Sequence, residues 1–466
     1  MKQNKTGGNL SKGQSKNTAK SWKDKAQERA KENRSLKKRN AELVSSRNLW
    51  KKKYQSGLLL PPKGLSLDSS KAKHHQYNLW FVLLLIEMQK YGGMSLRGCR
   101  HCVGTMLLIL DLGCRIPSHN SIRNWLCKSG YCRVKTGQEQ GGIYVIYVDE
   151  SIVFGSEKVL LILGIRLENV PTDRAVSHQD MEVLYVGFST EWKAEHIEAE
   201  LSKIALNKQI LYVVSDEGTN LRKAYLSCKY THIEDCTHIL ANHLKRIYGE
   251  DETFEDYRKL IGKCRRDWNL SKEKSQYMPP SMRGKMRFAN IFPCVDWAEK
   301  CLNNWQTLTP TIQQSLKFLK DNQVFIEELI QIEKAFKQTC EILKNDGFGI
   351  DQNKRILEKL TELSLDKKSG IFIENIKQYL ENLSQKSQEL NQKHLLCSSD
   401  IIESFFGKFK QKINPNSRSG LTEFIFTIAN FTKPFTQNEV KSALESVKVK
   451  DLKQLRNKAK PTWKSP

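Results

Sequence analysis

The 466-residue sequence predicts a mixed α/β protein: a five-stranded mixed sheet with flanking helices, split by a long α-helical stretch and preceded by a helical region. Three observations predict it. Between Gly142 and Tyr248 the apolar spacing switches from helical to strand-like and back in a fixed order. Across 76–135 and 250–395 the patterned stretches have helical spacing. Hydrophobic residues at 39% and aromatics at 9% supply enough apolar surface for a packed core.

The elements follow in order. Residues 1–20, rich in Gly, Ser, Asn and Lys, read as a disordered basic tail. Residues 21–60 read as a long basic helix, because Ser21–Gln55 lacks Pro and Gly and is full of Lys, Glu, Arg and Ala. Trp22, Leu36, Leu43 and Trp50 fall on a seven-residue spacing there, but Arg29 interrupts the seam of a coiled coil. Pro61 and Pro62 close the segment. Residues 76–135 then read as a helix-turn-helix. The apolar stretch Leu79–Met88 and the helix Cys99–Leu110 precede a turn near Gly113. A second helix, capped by Ser118, is expected to stop near Gly130. His119, Asn120, Arg123 and Asn124 would point from this second helix into a major groove.

In 142–249 the strands Ile143–Val153, Val159–Ile165 and Val183–Phe188 precede the helix Glu191–Leu206. The strand Ile210–Val214, the helix Asn220–Ser227, the short strand Thr231–Glu234 and the helix Thr237–Tyr248 complete the run. This order is that of an RNase H-like catalytic core, in which the first strand lies beside the fourth. Residues 250–395 read as an α-helical insertion, 396–432 as the final catalytic helices, and 433–466 as a basic C-terminal tail.

That topology sets Asp149, in the first strand, against Asp216, just past the fourth. Ligand groups gather outside the carboxyl ends of parallel strands. Two carboxylates at close range repel unless a cation lies between them, and oxygen ligands suit Mg²⁺ or Mn²⁺. Glu150 faces the other way along the strand, so only Asp149 joins the pair. A third carboxylate is needed for a second ion. Glu403 is the candidate, on a helix that Ser398 or Ser399 would cap, with Lys410 two turns further along the same face. Lys408 adds a second basic contact. Arg283, Lys285 and Arg287 form a basic cluster after Pro279 and Pro280, suited to phosphate. Trp268, Trp297 and Trp305 are core residues by their helical spacing, with stacking on a flipped base as the alternative.

At these residues the chain resembles DDE-type transposases of bacterial insertion sequences, from about Ser45 to Phe431. The segments that carry the likeness are Tyr147-Val-Asp149-Glu-Ser151, Val214-Ser-Asp216-Glu-Gly218, Pro279 to Asn290, and Ile402-Glu403-Ser-Phe-Phe-Gly-Lys408. The resemblance implies that Asp149, Asp216 and Glu403 bind two Mg²⁺ or Mn²⁺ ions. It also implies that the protein binds the terminal repeats of a mobile element, hydrolyses one strand at each end and joins the freed 3′-hydroxyl to target DNA. Glu403 and Lys410 match the Glu-x6-Lys half of one group's signature, whereas Leu396 and Ser399 stand where that signature has Tyr and Arg. Asp235-Cys-Thr-His238 resembles a Cys/Asp-x2-His motif of some transposases, with His238 near the scissile phosphate. The implied partners are double-stranded DNA, at element ends and target, and a second copy in a homodimer. A nuclease that cleaves without joining, and a silent DNA-binding regulator, are the rival readings.

Charge agrees with a nucleic-acid partner. The formal net charge is +25, and residues 1–55 hold 17 Lys/Arg against 4 Asp/Glu. Such arms follow phosphates by releasing counterions, without reading sequence. The first twenty residues have no apolar core of a secretory signal, and the apolar run Leu79–Ile86 is too short to span a bilayer. These features predict a cytoplasmic, nucleoid-associated protein without membrane contact. The 12 cysteines are expected to be free thiols, Cys99, Cys102, Cys127 and Cys132 included, although the last four have zinc-like spacing.

Overall fold

A computed structural model describes residues 70–109, 115–154, 157–269, 271, 274–282, 288–363, 367–413 and 422–452, together with helical residues between 26 and 48. The chain divides into two compact units, Met1–Leu67 and Asp68–Pro466. In the first unit the described residues are helical, and Leu36 and Leu43 are exposed. Trp22, Trp50 and the 1–20 tail lie outside the described residues.

The second unit opens with three helices: α1 (Leu79–Gly92), α2 (Leu96–Ile109) and α3 (His119–Glu139). The expected stop at Gly130 is not there. Helix α3 runs 21 residues, and Gly130 serves close approach instead: a Cβ at that position would lie 2.0 Å from the Phe426 carbonyl oxygen. Ser118 caps α3, its side chain accepting from Ser121 N as the sequence indicates.

The sheet follows, with strands β1 (Gly142–Phe154), β2 (Glu157–Arg166), β3 (Glu182–Ser189), β4 (Lys208–Ser215) and β5 (His232–Glu234). Their spatial order is β3-β2-β1-β4-β5, antiparallel across β1, β2 and β3, and parallel across β1, β4 and β5. The first strand therefore lies beside the fourth. Alternation along β1 builds two cores. Tyr144, Ile146 and Val148 pack beneath α4 (Ala194–Ala205) and α5 (Thr219–Cys228), through Ile197, Leu201, Leu221 and Tyr225. Val145 and Tyr147 face the other side, into a larger core.

That larger core extends through α6 (Cys236–Tyr248), α7 (Glu252–Trp268), α8 (Phe292–Asn303), α9 (Pro310–Ser315), α10 (Lys317–Asp321), α11 (Gln323–Asn345), α12 (Ile350–Thr361) and α13 (Lys367–Glu389) to α14 (Asp400–Lys412). Helix α11 is the longest of these with α13, at 23 residues each. Leu329, Ile332 and Phe336 keep one buried face along α11.

The C-terminal segment departs from a plain basic tail. Residues Glu423–Phe431 form a 3₁₀ helix that lies against α3 and α14, and Gln437–Ser446 form α15, opened by a capping box between Thr436 and Glu439. Phe435, Val440 and Leu444 complete the core of α1 to α3. Net charge masks the apolar spacing of these three residues in the sequence, and residues 453–466 lie outside the described residues. No helix among the described residues is long and apolar enough to cross a membrane.

Candidate active site

Register positions the two aspartates. Tyr147 of β1 pairs with Val214 of β4, and Asp149 and Asp216 are each two residues further on, Asp149 within β1 just past its parallel-paired stretch and Asp216 just past the end of β4. Asp149 sits just beyond the buried Val148, flanked by antiparallel Leu161. Burial pushes its carboxyl up to about 7, and the neighbouring charge of Asp216 adds to the rise. Asp216 ends β4 in an Asx turn, its Oδ1 accepting from Gly218 N at 3.0 Å. Glu150 points to the opposite face, where its Oε1 pairs with Lys158 Nζ at 2.8 Å.

Two segments from far along the chain join this pair. Asp235 caps α6, its Oδ1 accepting from His238 N at 2.9 Å and facing His238 Nδ1 at 3.1 Å. Its Oδ2 accepts from Ser399 N at 2.6 Å and Ser399 Oγ at 3.0 Å, which brings in the start of α14. Glu403 follows in the first turn of α14, its Oε1 4.0 Å from His238 Nε2. The hydrogen bond to Asp235 pushes His238 up to about 9, with Asp216 and Glu403 adding to the rise, so the ring is cationic at neutral pH. Burial would raise the Asp235 carboxyl, but the hydrogen bonds from His238 and Ser399 hold it below its ordinary value. The charges of Asp149, Asp216, Glu403 and His238 thus act on one another.

The expected cap on α14 takes a different form. Ser398 Oγ accepts from Asp400 N at 3.2 Å, while Ser399 turns inward to Asp235. Lys410 lies two turns beyond Glu403, and its Nζ donates to Ser151 Oγ at 2.6 Å, two residues past Asp149 on the same face of β1. Lys408 Nζ lies 6.0 Å from the centre of the Phe431 ring.

Other expected contacts are arranged differently. Arg123 Nη1 pairs with Glu423 Oε1 at 2.6 Å and Nη2 donates to Thr422 Oγ1 at 3.1 Å, so its guanidinium is held within the protein. His119 and Asn124 are half-buried on the same helix. Arg283, Lys285 and Arg287 lie outside the described residues. Trp268 is buried, Trp297 Nε1 donates to Tyr277 O at 2.8 Å, and Lys320 sits over Trp305, so the first two are packed in the helical core and the third lies at its edge. The cysteines described are free, and among the described residues no three His, Cys, Asp or Glu side chains are placed to hold a metal ion together. Sequence reasoning missed Ser399 and Ser151 as partners in the site. Their only signal was position, four residues before Glu403 and two after Asp149.

No protein-family model and no curated protein matches the chain.

Proposed function

We propose that this protein is a DNA transposase with an RNase H-like catalytic domain, split by the helical segment between β5 and α14. One observation supports the reading: Asp149 and Asp216 lie side by side just past the paired stretch of two parallel strands, and the charges of Glu403 and His238, from other elements, act on Asp149. Charge supports the partner: the net is +25, and residues 1–55 carry about half of it (17 − 4 = +13).

The residue types suit divalent cations, although as placed no three of these side chains among the described residues enclose one position. No Lys or Arg ion-pairs with Asp149 or Asp216 among the described residues, and their mutual repulsion is what a cation between them relieves. Asp149, Asp216 and Glu403 would hold two Mg²⁺ or Mn²⁺ ions, which supply activation of a water or 3′-hydroxyl and stabilisation of the leaving oxygen. His238, cationic and oriented by Asp235, presents Nε2–H toward Glu403 and can donate to a phosphate oxygen beside it. Lys410 supplies an ammonium beside the end of β1, where it grips the DNA backbone. The reaction is hydrolysis of one strand at each element end followed by strand transfer, carried out by a homodimer on DNA.

The test incubates purified protein with donor-end oligonucleotides, a target plasmid and Mg²⁺. Asp149→Asn, Asp216→Asn and Glu403→Gln should each cut nicking and joining by at least about 10³-fold while end binding persists, as expected for groups that act as a unit. Nicking without joining would make the protein a nuclease. Unaltered strand transfer in any one variant would remove that residue from the site.

A further inference from the structure

We infer that Asp235 is a positioning residue that ties the third carboxylate to the sheet, acting as a bridge between α6 and α14 rather than as a helix cap alone. The inference rests on the transposase reading above and concerns how its site is assembled.

Four contacts converge on a side chain that is 1% exposed. One oxygen serves α6, through His238 N and Nδ1. The other serves α14, through Ser399 N and Oγ, 164 residues away in sequence. The backbone of Asp235 adds a third tie, its N–H donating to Ser215 O at 2.9 Å, one residue before Asp216. The neighbouring Cys236 N donates to Cys397 O at 2.8 Å, which holds the same two segments side by side. Asp216, His238 and Glu403 are therefore each within four residues of an Asp235 contact. With two donors on each oxygen, the carboxylate has no lone pair directed at a cation, so it is not itself a ligand.

Capping alone does not require this arrangement. An N-cap needs one oxygen, and Ser, Thr or Asn supplies it about as well as Asp. Only an ionised carboxylate can accept on both sides at once; an amide must turn its NH₂ toward one of the two groups of donors. Glu403 depends on the second side. It lies in the first turn of α14 and is more than half exposed, so Ser399 is what indexes the start of its helix to the sheet. Groups of this kind around a metal centre typically change metal affinity 10- to 100-fold when altered.

The experiment uses the full chain without DNA and measures Mn²⁺ binding by titration calorimetry, with thermal unfolding and the Mg²⁺ dependence of nicking in parallel. Asp235→Asn should weaken Mn²⁺ binding about 10-fold and raise the half-saturating Mg²⁺ by a similar factor. Ser399→Ala keeps its N–H contact and loses only the Oγ bond, so a smaller change of about 3-fold is expected in both measures. A role in stability alone would lower the melting temperature and leave the affinity of the folded fraction as in the wild type. Wild-type metal affinity in a folded Asp235→Asn protein overturns the bridge. If that variant does not fold, unchanged affinity in Ser399→Ala overturns it instead. A wild-type protein with no metal-dependent nicking would defeat the transposase reading, and the bridge with it.

Discussion

Helices α3 and α14 carry similar sequence signals, a Ser-rich start followed by polar and basic side chains, yet the fold uses them in opposite ways. On α14, Glu403 and Lys410 face a shared site with Asp149 and Ser151. On α3, three of the four Lys and Arg side chains are spent within the protein, while Lys135 is exposed. Arg123 pairs with Glu423, Lys128 Nζ donates to Leu444 O at 3.0 Å, and the Arg133 guanidinium lies 3.3 Å from the centre of the Phe435 ring. The difference comes from what arrives on the polar side of each helix. The 3₁₀ helix Glu423–Phe431 and α15 bring carbonyls and carboxylates to α3. A basic residue contributes surface charge only where no other segment consumes it.

The sharpest way to break this comparison is to remove the internal role of α3. Arg133→Ala deletes donors to Thr432 Oγ1, Lys433 O and Pro434 O, of which the first belongs to a buried residue and the second to an exposed one. We expect a loss of about 2 kcal/mol in urea unfolding, the range for removing hydrogen bonds from a charged group at a partly buried site. A loss below about 0.5 kcal/mol would mean that α3 is not held by its basic side chains.

A second test addresses the α14 side. The Asp149 carboxyl is raised to about 7, so the folded protein holds this proton more tightly than the unfolded chain does. Its stabilising contribution is present below about pH 4 and is lost as pH rises through 7. Without metal, the wild type should therefore lose about 1–2 kcal/mol relative to Asp149→Asn between pH 5 and pH 8, a value discounted for partial solvent access. Equal pH profiles for the two proteins, measured by chemical denaturation, would show that neither burial nor the charge of Asp216 raises the Asp149 carboxyl.

The smallest expected effect is the most direct comparison. Arg123→Ala should change affinity for element-end DNA by no more than about 2-fold, because its guanidinium is already bound to Glu423. A specific base contact would instead cost about 1–3 kcal/mol, or roughly 5- to 150-fold. A loss of that size in a salt-controlled binding assay would show that Arg123 exchanges Glu423 for a base.

Much of the sheet is legible from residues alone. Its strands are runs of β-branched and aromatic residues bounded by Gly, Asp and Asn, and such runs have few other stable forms. The pairing of Asp149 with Asp216 follows once β1 is set beside β4. Glu403 is different: nothing local distinguishes it from any other first-turn glutamate, and its candidacy rests on the need for a third carboxylate and on Lys410 two turns along the same face. Gly130 reads as a helix stop and proves to be a point of close approach to Phe426, because a missing side chain has the same appearance in both cases. Phe435, Val440 and Leu444 are diluted by lysines in the sequence and join one core only in space.

By itself, the sequence determined the order of strands and helices around the two aspartates, the alternation that sends Asp149 and Glu150 to opposite faces, and the excess of positive charge. These are local properties, set by side-chain shape, periodicity and composition. The tertiary structure alone decided which charges are spent and which remain: Arg123 and Arg133 inward, Glu403 and His238 gathered at the strand ends, and Asp235 joining two helices. Those outcomes depend on contacts between residues more than a hundred positions apart, and no local pattern encodes which distant donor will reach a given acceptor.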